Sequence, residues 1–170
     1  MRIREEVPGD YQQISALLDL AFGGAEESRL VARLRAERAV IAALVATENS
    51  RVLGQILFSE LPIELDGEFL RAGALAPLAV APDRQRQGIG AALVQAGLEA
   101  CREHGVAAAI VLGDPDYYRR FGFSSAAARN LRAPFRGPAF MVRELVPGCL
   151  DGVTGTVCYA AAFGLDDARP

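Results

Sequence analysis

The sequence predicts an α/β fold in which helices flank a mixed β-sheet. Apolar runs of strand length recur along the chain, and one long amphipathic run, residues 91–104, lies between two of them. Such a strand–helix–strand crossover implies two neighbouring parallel strands, whereas short turns elsewhere imply antiparallel hairpins. A length of 170 residues suits one domain with a full core.

The N-terminal part of the chain predicts one strand, two helices and a hairpin. The elements are a strand over 1–7, a helix from Pro8-Gly9-Asp10 to Gly23-Gly24, a helix over 26–38, and strands over 40–47 and 52–60. The first helix carries its apolar residues on one face, namely Tyr11, Ile14, Leu17, Leu18 and Phe22. Asn49-Ser50 supplies the hairpin turn, and Asp66-Gly67 supplies another turn within 61–69.

The C-terminal part predicts the crossover and a final strand pair. The elements are a strand over 73–80, a helix over 91–104, a strand over 106–112, a short helix from Asp114-Pro115, and strands over 139–146 and 153–163. The long helix ends at Gly105 and presents an apolar face of Ile89, Ala92, Leu93, Ala96 and Ala100. The run 106–112 is continuously apolar, as expected of a strand buried on both faces.

Pro77 interrupts the strand predicted over 73–80. Proline cannot donate a hydrogen bond to a neighbouring strand, so it belongs at a sheet edge, at a bulge or where two strands part. The residue alone does not decide among these positions.

Composition excludes several classes of function. A net charge of −3 argues against nucleic-acid binding, and no apolar stretch reaches the roughly 18 residues of a membrane span. Residues 1–6 include no apolar signal region, so a cytoplasmic location is expected. Cys101, Cys149 and Cys158 lack metal-ligand spacing and are interpreted as inert thiols. With His104 as the only histidine, no metal site and no Ser-His-Asp triad is expected.

The segment 84–93 carries the strongest functional signal. It reads Arg-Gln-Arg-Gln-Gly-Ile-Gly-Ala-Ala-Leu and lies between a predicted strand and a predicted helix. A glycine-containing turn at a helix N-terminus points unpaired N–H groups at one spot, which favours a phosphate or pyrophosphate. No Gly-Lys-Ser/Thr triplet is present, and Leu93 replaces the third glycine of a dinucleotide fingerprint. A tight turn with no ligand is the alternative.

The spelling Gln85-x-x-Gly88-x-Gly90, after a strand that ends in Val80-Ala81-Pro82-Asp83, resembles the signature of the GNAT superfamily of acyl-CoA-dependent N-acyltransferases. The resemblance implies a single-domain α/β fold over 1–170 with a mixed, mostly antiparallel sheet. In that fold the central parallel strand pair is splayed, and acyl-CoA lies in the opening. The specific motifs fall within 75–123.

A second motif, Tyr118-x-x-x-Gly122-Phe123, resembles the GNAT element that brings a tyrosine hydroxyl to the cofactor sulfur. A packing role is the alternative for Tyr118. Many family members have Asn and Ala where this chain has Val111 and Asp114, so the contact that the Asn makes to the pantetheine arm is in doubt. The string Gly113-Asp114-Pro115-x-Tyr117-Tyr118-x-Arg120-Phe121-Gly122-Phe123, together with Leu75-Ala76-Pro77-Leu78-Ala79-Val80, resembles a bacterial branch of predicted N-acetyltransferases.

The resemblance implies a set of site residues. The pyrophosphate would bind the turn, and the pantetheine would bind the last strand residues. The predicted cofactor-binding residues are Leu78, Ala79, Val80, Gln85, Arg86, Gln87, Gly88, Ile89, Gly90 and Ala91. Arg84 or Arg86 would add a charge-assisted contact, Tyr118 would protonate the leaving thiolate, and Glu60 is the first candidate for the general base, before Asp114.

The predicted function is transfer of an acetyl group from acetyl-CoA to a primary amine of a small molecule or protein, by direct attack in a ternary complex. The expected partners are acetyl-CoA and an amine acceptor, with neither nucleic acid nor membrane, and a homodimer is left open. Two alternatives remain. One is a non-catalytic acyl-CoA-binding sensor or scaffold, and the other is an acyltransferase for longer acyl chains.

Overall fold

Ten strands and four α-helices make up the part of the chain that the computed structural model describes, residues 1–165. The strands are β1 (Arg2–Glu5), β2 (Val40–Glu48), β3 (Arg51–Glu60), β4 (Ile63–Leu65), β5 (Glu68–Leu70), β6 (Ala72–Val80), β7 (Ala108–Leu112), β8 (Leu131–Arg132), β9 (Phe140–Glu144) and β10 (Gly155–Val157). The helices are α1 (Tyr11–Phe22), α2 (Glu26–Ala36), α3 (Ile89–Glu103) and α4 (Pro115–Tyr118).

The main sheet has six strands in the order β1-β2-β3-β6-β7-β9. All neighbouring strands are antiparallel except β6 and β7, which α3 connects as a crossover. The predicted mixed sheet with one central parallel pair is therefore confirmed. Asn49 and Ser50 join β2 to β3 with φ values of 49° and 63°, the left-handed conformation that a tight hairpin turn needs.

The parallel pair is short, and this creates the opening in the sheet. β6 pairs with β7 only from Ala72 to Ala74, opposite residues 108–110. Beyond Ala74, β6 keeps β3 on one edge and has no strand on the other. Pro77 lies in this part, where the register with β3 shifts between Ile56 and Phe58. Pro77 thus occupies both a bulge and a splayed edge.

A second, four-stranded sheet in the order β5-β4-β10-β8 was not predicted. It packs on the main sheet through a cluster that includes Ile63, Ile110, Phe140 and Val142. The expected strand over 153–163 is wrong apart from Gly155–Val157. Residues after Val157 leave the small sheet, and Ala162 is buried against the apolar cluster under α1 and α2.

α3 covers one face of the main sheet, and its buried stripe differs from the prediction. The buried residues are Ile89, Leu93, Val94, Gly97, Leu98 and Cys101. Ala92, Ala96 and Ala100 lie at the margin of the stripe. Gly97 sits so close to Phe58 that a Cβ at residue 97 would be 2.5 Å from Phe58 Cε2. The contact of Gly97 with Phe58 of β3 and the burial of the larger side chains of α3 together set the rotation of α3 about its own axis.

Most other predicted boundaries agree to within a few residues. α2 ends at Ala36 rather than at residue 38, because Arg38 has a φ of 55° and leaves the helical conformation. α1 ends at Gly23, as predicted. Among residues 1–165, no helix has the length and apolar character needed to cross a membrane.

Candidate active site

The turn between β6 and α3 has the backbone of an anion cradle. Gly88 is the N-cap of α3 with a φ of 84°, and Arg86 has a φ of 59°. Both values lie in the left-handed region, which side chains disfavour and glycine accepts readily. A Cβ at Gly88 would meet nothing within 4 Å, so packing does not require glycine there. The requirement comes from the left-handed backbone conformation.

Seven consecutive N–H groups of this turn, from residues 85 to 91, make no hydrogen bond within the described part of the chain. The first bond of α3 runs from the Ala92 N–H to the Gly88 carbonyl, at 3.0 Å. No side chain caps the helix. Unpaired N–H groups and the positive end of the helix dipole therefore coincide, which suits a phosphate or diphosphate ligand.

Side chains on both flanks hold the turn in place. Gln85 Nε2 donates to the Val80 carbonyl at 3.2 Å, and Gln87 Nε2 donates to the Asp83 carbonyl at 3.4 Å. Arg84 pairs with Glu48 at 2.9 Å, which lowers the pKa of that carboxyl below its usual value. Arg84 is thus engaged by an acid, whereas Arg86 is exposed and makes no ion pair within residues 1–165. Of the two predicted cations, Arg86 is the one free to meet a ligand.

The open edge of β6 lies between this turn and α4. Residues 75–80 have β3 on one side only, with Val80 opposite Gly54 and Leu78 opposite Ile56. Backbone groups that point away from β3 therefore lack a strand partner. Such an edge can hydrogen-bond an extended ligand as it would a further strand.

Tyr118, at the end of α4, lies against the strand end on the far side of this opening. Its residue is 9% exposed, and its ring contacts those of Tyr117 and Phe123 edge-on. A Cβ on Gly113 would be 2.5 Å from Tyr118 Cε2, so residue 113 must be glycine for the ring to lie there. Burial raises the pKa of Tyr118 to about 12, which keeps its hydroxyl protonated at physiological pH.

Tyr117 reaches the predicted cofactor turn, which the sequence reasoning missed. A Cβ on Gly90 would lie 2.7 Å from the Tyr117 hydroxyl oxygen. Arg120 stacks over the Tyr117 ring at 4.3 Å and donates to the Tyr117 carbonyl at 3.1 Å. Adjacent tyrosines thus face different parts of the site, one the first turn of α3 and the other Gly113. The Tyr117-Tyr118 pair in the sequence was the available signal.

Glu60, the first candidate for the general base, is not brought to the other site residues. It lies opposite Gly73 on β6 and pairs with Arg71 at 2.6 Å, while Arg71 also donates to the His104 carbonyl. It is six residue steps along β3 from Gly54, which lies opposite Val80, or about 20 Å at the rise of a strand. This placement does not support a catalytic role, because the carboxylate is committed to an ion pair at the closed end of the sheet.

Asp114, the second candidate, caps α4. Its carboxylate accepts a hydrogen bond from the Asp116 N–H at 2.9 Å, and its carbonyl accepts from the N–H groups of Tyr117 and Tyr118. The residue is exposed, close in sequence to both tyrosines. The cap explains why aspartate is present without requiring a catalytic role.

Gln55 and Ser59 are buried polar residues that the sequence reasoning also missed. Both are 0% exposed, and neither the Gln55 amide nor the Ser59 hydroxyl makes a hydrogen bond within the described residues. Gln55 lies opposite Ala79, and Ser59 opposite Ala74, along the strand that borders the opening. Burial of unpaired polar groups is costly, so we interpret Gln55 and Ser59 as candidate site residues beside β6. Two polar residues in an otherwise apolar strand were the signal.

Fold and site together define an acetyltransferase of the GNAT class. A family model described as an acetyltransferase (GNAT) domain matches residues 2–126, which include β6, the turn, α3 and α4. The chain belongs to this family. The uncharacterized N-acetyltransferase YhbS of Escherichia coli (strain K12) is 42% identical over 166 residues, which cover 96% of this chain and 98% of that protein.

Two crystal structures resemble this chain closely. One is the GNAT family N-acetyltransferase YhbS from Escherichia coli in complex with CoA, with a TM-score of 0.87, 41% identity, and coverage of 96% of this chain and 91% of that one. The other is a GNAT family acetyltransferase from Brucella melitensis in complex with acetyl-CoA, with a TM-score of 0.78, 36% identity, and coverage of 95% and 97%.

Proposed function

We propose that this protein transfers an acetyl group from acetyl-CoA to a primary amine of a small molecule or protein, without a covalent enzyme intermediate. The observation that carries the proposal is the row of seven unpaired N–H groups, residues 85–91, next to the open edge of β6. The relatives that were crystallised with CoA and acetyl-CoA support the same donor for this chain.

The donor's diphosphate fits the turn because its N–H groups, the dipole of α3 and the Arg86 guanidinium all favour an anion. The pantetheine arm fits the edge of β6, where Leu78, Ala79 and Val80 supply backbone groups. Only residues 81–84 separate these two regions, so one extended molecule can occupy both. A ligand of this shape has its diphosphate at the turn and its thioester farther along β6.

The thioester supplies the acetyl group and a thiolate leaving group. The lone pair of the neutral amine forms the new C–N bond as the C–S bond breaks. The nitrogen then gives up its extra proton to water, and the thiolate takes up a proton, so the products are the acetamide and the free thiol. A backbone N–H of β6 stabilises the developing oxyanion on the carbonyl, as preorganised donors do in other acyl transfers. Tyr118 is the proposed donor to the thiolate, since its ring packs on Gly113 at the end of β7, beside the opening.

The acceptor must lose a proton before it attacks. Glu60 is held by Arg71 at the closed end of the sheet, and Asp114 caps α4. We therefore assign the deprotonation to water at the site or to the bulk. General-base help is worth ~10²- to 10⁴-fold, so a slow enzyme can work without a dedicated base.

The test is a screen of amines with acetyl-CoA, in which free thiol is measured and the acetylated product is identified by mass spectrometry. Acetylation of at least one amine, with stoichiometric thiol release, is expected. Binding of acetyl-CoA without transfer to any amine would instead favour the sensor or scaffold alternative. Longer acyl-CoA donors in the same screen decide the acyl chain length.

The cytoplasm is the proposed location. Cys101, Cys149 and Cys158 are all free thiols, as expected in a reducing compartment. A homodimer remains a prediction.

A further inference from the structure

Positive charge is concentrated in one segment of a chain that is acidic overall. From Tyr117 to Arg143 the sequence has six arginines and no aspartate or glutamate, although the whole chain has a net charge of −3. The segment includes the last two residues of α4, all of β8 and most of β9. Its electrostatic potential therefore opposes that of the rest of the chain, and it attracts anions.

Three of these arginines line one groove of about 450 Å³. Arg129, Arg132 and Arg136 share it with polar groups that include Ser125, Asn130 and Thr154. No acidic residue lines the groove. The volume suits a small molecule or one end of a larger one, since ligand sites commonly range from about 300 to 1,000 Å³.

The groove arginines have no acidic partner within residues 1–165. Six arginines elsewhere form ion pairs of 2.9 Å or less, namely Arg4, Arg35, Arg51, Arg71, Arg84 and Arg102. The side chains of Arg129, Arg132 and Arg136 make no hydrogen bond or ion pair with any residue from 1 to 165. Three neighbouring guanidinium groups without acids repel one another, and an anionic ligand would relieve that repulsion.

The groove adjoins the C-terminal end of β7, next to which the ring of the proposed catalytic tyrosine packs. Phe140 lines the groove and lies opposite Leu112, the last residue of β7. The next residue, Gly113, donates from its N–H to the Ala139 carbonyl at 3.0 Å, and the Tyr118 ring packs on Gly113. One strand, β9, thus links the groove to the C-terminal end of β7, where the sheet has opened.

We infer that the groove binds an anionic group of the acceptor, a carboxylate or a phosphate, so that the acceptor is an amine that carries negative charge at its other end. This inference rests on the proposed acetyl transfer. Arg132 and Arg136 form charge-assisted hydrogen bonds to the anion, and Asn130 and Thr154 complete the polar lining. A small acceptor fits the groove better than RNA, since a polynucleotide needs a basic surface longer than one pocket.

The test compares matched amines that differ in the anion: O-phosphoethanolamine with ethanolamine, and β-alanine with propylamine. Wild-type protein should prefer the anionic member of at least one pair through a lower KM. Arg132→Gln/Arg136→Gln should raise that KM by ~10-fold or more and leave the KM of the neutral partner unchanged. The pair that responds identifies the anion as phosphate or carboxylate.

The matched control is Arg29→Gln/Arg33→Gln on α2, which removes the same charge from exposed arginines outside the groove. Equal KM values within both pairs, or an equal effect of the control, would overturn the inference and leave acetyl transfer intact. Calorimetry of O-phosphoethanolamine and β-alanine with the CoA-bound protein gives a second readout. If either compound binds and the groove variant abolishes that binding, the groove is supported as an anion site. If in addition no amine is acetylated, the proposed acetyl transfer is removed and the anion site is not. RNA binding with no small-anion binding would also overturn the inference.

Discussion

Two adjacent tyrosines have different surroundings at the end of α4. The Tyr118 ring lies on Gly113 with a pKa of about 12, and the Tyr117 hydroxyl lies at Gly90 on the first turn of α3. Consecutive residues of a helix point in different directions, so each tyrosine serves a different part of the site. A Tyr→Phe substitution at either position removes the hydroxyl and keeps the ring.

Tyr118→Phe should lower kcat by ~10- to 10³-fold and leave the Kd of acetyl-CoA nearly unchanged, because a proton donor to the leaving thiolate acts in the transition state. Steady-state kinetics and calorimetry measure the two effects. Tyr117→Phe is the matched control and should keep most of kcat. A crippled Tyr117→Phe beside a normal Tyr118→Phe would transfer the role to Tyr117, whereas two normal variants would leave both residues with packing roles.

The pH profile of kcat/KM follows from the same pKa. Activity should rise from acid toward mildly alkaline pH as the acceptor amine loses its proton. A donor is lost as pH rises through its pKa, and for Tyr118 that value is about 12, so no descending limb from this residue is expected up to about pH 10. Glu60→Gln should leave the profile unchanged, since Arg71 holds that carboxylate at the far end of the sheet. A descending limb below pH 10 that Tyr118→Phe removes would contradict the raised pKa.

Gln55 offers a test of whether its buried amide serves the site rather than the fold. Gln55→Met removes a 0% exposed amide that has no partner among residues 1–165, so the free energy of unfolding should rise by about 1–2 kcal/mol. Urea denaturation measures it. Gln13→Met is the matched control and should destabilise, because the Gln13 amide bonds Val52 and Ser50. Destabilisation by Gln55→Met equal to that of the control would show that the amide is structural.

At the scale of elements, close packing of α3 on β3 fixes the position of the cofactor turn. A Cβ at Gly97 would lie 2.5 Å from Phe58 Cε2, and one at Gly54 would lie 2.9 Å from Leu93 Cδ1. Two glycines, one on each element, therefore let the helix approach the strand. The N-terminus of α3 is held beside the open edge of β6 as a result.

Gly97→Ala should lower the free energy of unfolding by about 1–3 kcal/mol, since the added methyl group meets a buried ring. The gain in helix propensity, about 1 kcal/mol, offsets only part of this loss. Thermal denaturation followed by circular dichroism is the measurement. Gly24→Ala is the control, because a Cβ there meets nothing within 4 Å. Equal melting temperatures for the two variants would contradict the close approach.

The sequence predicts most elements of the main sheet and α3, because their apolar periodicity and turns are local signals. The rotation of α3 was predicted less well, since Ala92 and Ala96 are as apolar as the buried positions and only contact with β3 distinguishes them. The small sheet was missed because its strands are two or three residues long. The role of Glu60 depended on a register and an ion pair that spacing alone does not reveal.

At the scale of the whole molecule, the turn and α4 lie at the opening between β6 and β7, and the arginine groove lies beyond β9. The turn at 85–91 offers unpaired N–H groups, α4 brings two tyrosines, and the groove beyond β9 collects three arginines. The turn and α4 belong to motifs that were recognisable from the sequence. The groove depends on how residues 125–154 fold over the sheet, which no local sequence signal reveals.

The Kd of acetyl-CoA, measured by calorimetry, tests the central claim most directly. A Cβ at Gly90 projects toward the Tyr117 hydroxyl, at 2.7 Å, and toward Val80 Cγ2, at 3.5 Å, which is the space between the turn, β6 and α4. In a Tyr117→Phe background the hydroxyl is gone, so the side chain of Gly90→Val no longer meets it and projects into the space proposed for the ligand. We predict that Gly90→Val/Tyr117→Phe binds acetyl-CoA at least ~10-fold more weakly than Tyr117→Phe alone. Equal affinities in two folded variants would contradict the assignment of the turn as the acetyl-CoA site.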